Sequence, residues 1–217
     1  MSMLQHRLLN GWPFFSLIAA VTFAGMMIGL IRFGVATPEA TVKLIRLSVQ
    51  FASPWIFIAF ATSALVQLFP GSASKWLARN RRYTGLSFAA GFGWQAVFIA
   101  VLFALHADYY WQELHEASDL ILRVLSYFVL FALTITSFFP VRRRMRPQYW
   151  RWLHLVGIWY FWAAIWTSYA GQALSSEAKV VDIVYTIFGL LVLFVRVAAN
   201  IKMRASKSGP QTQGLGT

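Results

Sequence analysis

Residues 79–119 read RNRRYTGLSFAAGFGWQAVFIAVLFALHADYYWQELHEASD. Between Arg82 and Asp108 lies a run, 83–107, with no Asp, Glu, Lys or Arg. At ~1.5 Å per residue such a run, as a helix, is long enough to cross a ~30 Å hydrocarbon core. Basic residues precede it and acidic residues follow it. The same low-charge pattern recurs along the chain, at about 12–31, 47–69, 83–107, 120–141, 149–172 and 180–201. The sequence therefore predicts an all-α integral membrane protein, a six-transmembrane-helix bundle over residues 1–205 with both termini on the same side. The remaining segment, 206–217, is rich in Gly, Ser, Pro and Gln and is predicted to be a disordered cytoplasmic tail.

Charge gives the orientation. Basic residues of short loops are retained in the cytoplasm. With the N-terminus inside, the cytoplasmic segments hold Arg7, the cluster Lys75, Arg79, Arg81 and Arg82, the cluster Arg142, Arg143, Arg144, Arg146 and Arg151, and the set Arg196, Lys202, Arg204 and Lys207, which is 14 of the 19 basic residues. All 7 acidic residues, Glu39, Asp108, Glu113, Glu116, Asp119, Glu177 and Asp182, fall on the other face. This pattern predicts a multi-pass protein of a bacterial inner membrane with cytoplasmic termini. The first run is longer than the ~7–15-residue apolar core of a secretory signal, and predicts a retained helix.

Composition agrees. The chain of 217 residues is 59% apolar and only 12% charged, which suits a helical bundle in lipid. Its net charge of +12 sits at helix ends, where topology and anionic headgroups account for it, and predicts no nucleic-acid partner. The absence of cysteine excludes disulfides, thiol catalysis and Cys-ligated iron–sulfur clusters. No nucleophile–base pair or other catalytic constellation is visible.

Several local features bear on packing. Loops are predicted to be short except for 32–46 and 108–119, which makes successive helices antiparallel neighbours. Pro54 lies inside the second run and frees a carbonyl one turn earlier, to be absorbed by a neighbouring helix or by Ser53. Gly25, Gly29, Gly85, Ala89, Ala90, Gly91 and Gly93 read as close-packing positions, with clearance around a planar cofactor as the alternative. Glu113, His115, Glu116 and Asp119 carry ligand-type side chains on a loop whose default reading is a solvated acidic segment. Trp150, Trp152, Trp166 and Tyr169 suit the membrane interfaces, whereas Trp159 and Trp162 lie too deep for that role and pack between helices or line a pocket.

His154 is the foremost candidate site residue, because a titratable side chain inside a span must face the bundle or a wet cavity. It reads either as a neutral imidazole bonded to a neighbouring helix or as an axial haem ligand.

The string Arg81-Arg82-Tyr83-Thr84-Gly85, then Thr136-Ser137, a basic loop, and Trp150-Arg151-Trp152-Leu153-His154 resembles the ferric-reductase-like transmembrane domain over about residues 45–200. It is most similar to the haem-binding membrane subunits of bacterial protein-methionine-sulfoxide reductase systems. The resemblance implies an electron-transfer subunit holding b-haem between the third and fifth spans and served by a separate cytoplasmic flavin or nicotinamide donor. The family's ligand positions fall on Gln95, His154, Thr167 and near Tyr109, so only His154 carries an imidazole. His154 is then the possible haem-iron ligand, with His106 as a displaced outer candidate. His106 and His154 lie near opposite faces and cannot clamp one iron.

Without haem, Gln95 and His154 are expected to pair in a small pocket walled by Gly91, Gly93, Trp94 and Trp159, open to a quinone, a lipid or another apolar ligand. The function expected is a redox-associated membrane subunit with a degenerate haem site. The alternatives are a non-enzymatic scaffold or partner subunit of another membrane complex, and a small transporter, which would need mid-membrane polar groups that are nearly absent. The basic segments 71–82 and 142–151 are candidate docking surfaces for an acidic donor or a flavin phosphate.

Overall fold

A computed structural model describes residues 6–113 and 117–208. After a 3-10 turn at Arg7–Leu9, the chain forms α1 (Gly11–Phe33), α2 (Pro38–Leu68), α3 (Ser72–Leu105), α4 (Ala107–Glu113), α5 (Ala117–Thr136), α6 (Phe139–Arg144), α7 (Pro147–Ala173) and α8 (Val180–Ser208). No strand occurs among the described residues. Helices α1, α2, α3 and α8 are long and apolar enough to cross a membrane, and the apolar part of α5, Ile121–Thr136, is shorter. Helix α7 has the length, but its Trp, Tyr and Gln side chains and Arg151 make it less apolar. Exposed large apolar residues, among them Ile121, Val124, Phe128, Phe131, Ile187, Leu191 and Phe194, cover the outer faces of α5 and α8. A surface of that kind suits lipid.

Several helix limits differ from the sequence expectation. The long loop expected over 32–46 is reduced to Gly34–Thr37, because Thr37 caps α2 through Oγ1 to the Ala40 N–H, with Pro38 at the first position and Glu39 in the first turn. The basic segment 71–82 is helical. Helix α3 starts at Ser72, where Ser74 Oγ accepts from the Gly71 N–H and donates to the Phe69 carbonyl. The expected span 120–141 stops at Thr136, and part of 108–119 is the short α4. Hydropathy marks the hydrocarbon crossing, whereas a helix continues through the headgroup layer as long as its caps permit. Helix α8 likewise runs to Ser208, past the expected start of the tail at 206; residues 209–217 lie outside the described residues.

Helix α2 is the hub, packing against α1, α3, α7 and α8. Its buried residues are mostly small or aromatic: Ser48, Ala52, Ser53, Ala59, Ala61 and Ala64 beside Phe57 and Phe60. Small side chains let neighbouring backbones approach, which matters in lipid because apolar contact alone does not drive helices together. Gly91 of α3 is pressed against the α2 backbone: a Cβ there would lie 2.9 Å from the Ala52 Cβ and 3.0 Å from its Cα. Gly25 and Gly29 similarly face Phe51 and Leu47 of α2. The packing reading thus holds for these three glycines. Gly85 and Gly93 differ, since a Cβ there meets nothing within 4 Å.

Two prolines leave carbonyls without their helical donors, and both carbonyls are captured from another helix. Pro54 has no N–H for the Gln50 carbonyl, which instead accepts from the Tyr185 hydroxyl of α8 at 2.9 Å. Pro140 has none for the Thr136 carbonyl, which accepts from Trp150 Nε1 of α7 at 3.0 Å. Ser53, expected as a possible donor to the freed carbonyl, serves elsewhere: its Oγ donates to the Val49 carbonyl at 2.7 Å and lies 3.1 Å from the Tyr169 hydroxyl.

Two stability predictions follow from this packing. Gly91→Ala is expected to destabilise the detergent-solubilised protein by about 1–3 kcal/mol through overpacking against the Ala52 backbone, whereas Gly85→Ala is neutral or mildly stabilising. Tyr185→Phe, which deletes only the donor for Gln50, is expected to cost about 0.5–1.5 kcal/mol in thermal or denaturant unfolding.

Candidate functional site

Two cavities open within the bundle. The first, about 750 Å³, lies toward the acidic end and is bounded by α2, α3, α5, α7 and α8. Gln95 and Thr167 both line it, and charges of both signs, including Arg46, Arg123, Glu177, Lys179 and Asp182, stand among its lining residues. Several of its polar groups are hydrogen-bonded within the protein. The Tyr127 hydroxyl donates to Gln95 Oε1 at 3.1 Å, Thr167 Oγ1 donates to the Ala163 carbonyl at 2.8 Å, and Ser126 Oγ lies 2.6 Å from the Tyr160 hydroxyl.

The second cavity, about 600 Å³, lies toward the arginine-rich end and contains His154. The half-buried imidazole places Nε2 3.1 Å from Thr136 Oγ1, and its ring lies 4.5 Å from that of Trp150. Arg142 covers the other ring in this stack, with its guanidinium carbon 4.3 Å from the Trp150 centroid. Thr136 therefore binds α7 twice, through its carbonyl to Trp150 and through its hydroxyl to His154. The neutral, hydrogen-bonded reading of His154 has a concrete partner in this arrangement.

The sequence candidates are not gathered into one pocket. Gln95 and His154 line different cavities and pair with Tyr127 and Thr136, not with each other. Gly91 is pressed against Ala52, and Trp94 stacks on Phe98. Trp159 lies edge-on to Phe60, with ring centroids 4.8 Å apart, and makes a second edge contact with Trp162. His106 ends α3, and its Nε2 lies 3.0 Å from the Val35 carbonyl in the α1–α2 connection. Residues 114–116, including His115 and Glu116, lie outside the described residues, as do the side chains of Glu113 and Asp119. Among the described residues no group of three His, Cys, Asp or Glu side chains is placed to hold a metal ion.

The sequence reading missed Arg196. Grouped there with the tail, it is a buried residue of α8, 9% exposed. It donates from a terminal guanidinium nitrogen to the Phe60 carbonyl at 2.8 Å. Its guanidinium lies 4.3 Å from the Phe60 ring centroid and 5.0 Å from that of Trp159. A signal was available, since a cation within an apolar run is a site candidate by default.

The donor chemistry does not fit a bis-imidazole haem. The first cavity offers Gln95 and Thr167 where the resemblance would place ligands, and no imidazole, thiolate or thioether lines it. The second offers His154 alone, already bonded to Thr136. No family model matches the chain, and no curated protein or solved structure matches it either. Tyr127→Phe is expected to leave Gln95 Oε1 without its donor and lower stability by about 0.5–1.5 kcal/mol, while Gln95→Leu together with Tyr127→Phe recovers part of that loss in a double-mutant cycle.

Proposed function

We propose that the chain is a six-span subunit of a bacterial inner membrane, with both termini cytoplasmic, that keeps the ferric-reductase-like helix plan and works without b-haem as a partner subunit of a redox-associated membrane complex. Orientation is supported by the charge asymmetry, since the arginine clusters occupy one end of the bundle and the acidic residues lie outside it. Six spans follow if α5 and α7 cross alongside the four longer, more apolar helices.

One observation carries the haem-free reading. Gln95 and Thr167 face the same cavity, each is hydrogen-bonded within the protein, and no imidazole, thiolate or thioether lines that cavity to serve as an axial ligand. Redox association is supported by the resemblance of 81–85, 136–137 and 150–154 to the family's motif-bearing helices. Electron delivery by a cytoplasmic flavin or nicotinamide protein is not needed by a haem-free partner subunit.

The absorption spectrum tests this. Protein expressed with haem supplementation and purified in detergent is expected to lack a stoichiometric Soret band. The double variant Gln95→His/Thr167→His, which sets two imidazoles on one cavity, is expected to gain one, with the sharp reduced α band of six-coordinate b-haem. A wild-type preparation with one haem per chain, lost on His154→Ala, would restore the electron-carrier reading.

A further inference from the structure

The second cavity has an unbalanced electrostatic character. Arg79, Arg81, Arg82, Arg142, Arg151 and Arg196 all line it, and no Asp or Glu does. Membrane topology explains why arginines stand at this end. It does not explain why four helices, α3, α6, α7 and α8, direct them at one concave space, or why Arg196 is buried there. Like charges gathered around one partly desolvated volume repel, and an anion inside it relieves that repulsion.

Three of these guanidiniums lie against aromatic rings. Arg142 lies over Trp150, Arg196 over Phe60 and Trp159, and Arg82 near Trp12, Tyr83 and Phe138. Stacking fixes a guanidinium plane without consuming its in-plane N–H donors, the groups that match phosphate oxygens. Arg82 Nε is buried and has no hydrogen-bond partner. Ser63, Thr134, Ser137 and His154 also line the cavity, but most of its remaining wall is apolar, including Leu86, Ala89, Leu130, Leu133 and Ile158, and Gly85 leaves open space where a side chain would stand. A small hydrated anion has no use for such a floor. An amphiphile does.

We propose that this cavity binds the phosphate headgroup of an anionic membrane phospholipid, with an acyl chain laid along the apolar floor past Gly85 and Ala89. The arginines neutralise the phosphate, and the aliphatic chain fills the space beside α3. This site is independent of whether the first cavity holds haem.

The test uses the full chain, delipidated in a neutral detergent and titrated with dioleoylphosphatidylglycerol, dioleoylphosphatidylcholine or inorganic phosphate. Native mass spectrometry counts bound lipid and thermal unfolding reports its effect. One phosphatidylglycerol is expected to bind at least tenfold more tightly than phosphatidylcholine, and millimolar inorganic phosphate is expected not to displace it. Arg81→Gln/Arg142→Gln should weaken phosphatidylglycerol at least tenfold. Arg144→Gln/Arg146→Gln, the same charge change outside the lining, should leave its affinity within twofold. Gly85→Leu, which keeps every charge and fills the floor, should weaken it as well, with unchanged helicity and gel-filtration behaviour. Equal affinity for both lipids, equal losses in the two double variants, or no effect of Gly85→Leu would overturn the proposal. Displacement by inorganic phosphate would overturn it in favour of a soluble anion.

Discussion

In a hydrocarbon medium a backbone carbonyl without a donor has no water to turn to, and the bundle is organised around two such carbonyls made by proline. Pro54 lies in the most buried stretch of the hub helix α2, and the Gln50 carbonyl it frees is held by Tyr185. Pro140 ends α5, and the Thr136 carbonyl it frees is held by Trp150. Each capture is made by an amphipathic aromatic that contributes apolar area through its ring and one donor at its edge. The first ties α8 to α2, and the second ties α7 to α5. Close contact of α3 with α2 at Gly91 and Ala52 completes the frame.

That frame separates two chemical environments. Toward the acidic end, hydroxyl and amide groups of α3, α5 and α7 satisfy each other around Gln95 and Tyr127, and the charges among the lining residues are mixed in sign. Toward the other end the cations are unmixed, and Trp150 and His154, both tied to Thr136, stand in the wall of their cavity. His154 thereby has a structural occupation: it holds α7 to the end of α5 beneath Arg142. The same constraint that terminates α5 also fixes the rings on which an arginine stacks.

The helical, membrane-embedded character was legible in runs such as 83–107, because length and charge content decide it without reference to neighbours. The close-packed reading of Gly25, Gly29 and Gly91 was legible too, whereas Gly85 reads the same in sequence and faces open space. Helix ends were less legible, since Thr37 and Ser74 extend α2 and α3 beyond the apolar runs through local capping. The pairing of Gln95 with His154 was expected from two motifs and is absent, because axial register between helices depends on packing that spacing does not encode. Arg196 was hidden by its place near the end of a run. Its role emerges only when α8 is laid against Phe60 of α2.

Basic residues of short loops collect at one membrane face for reasons of insertion, and the arginines around the second cavity are proposed to bind a lipid headgroup as well. The most direct measurement is an experimental structure of the protein in a lipid phase containing phosphatidylglycerol. Phosphate density is expected within hydrogen-bonding distance of the guanidiniums of Arg81, Arg142 and Arg196, continuous with an acyl chain beside Gly85. Arginine side chains turned outward to bulk water, with the cavity closed by collapse of α5 onto α3, would contradict it.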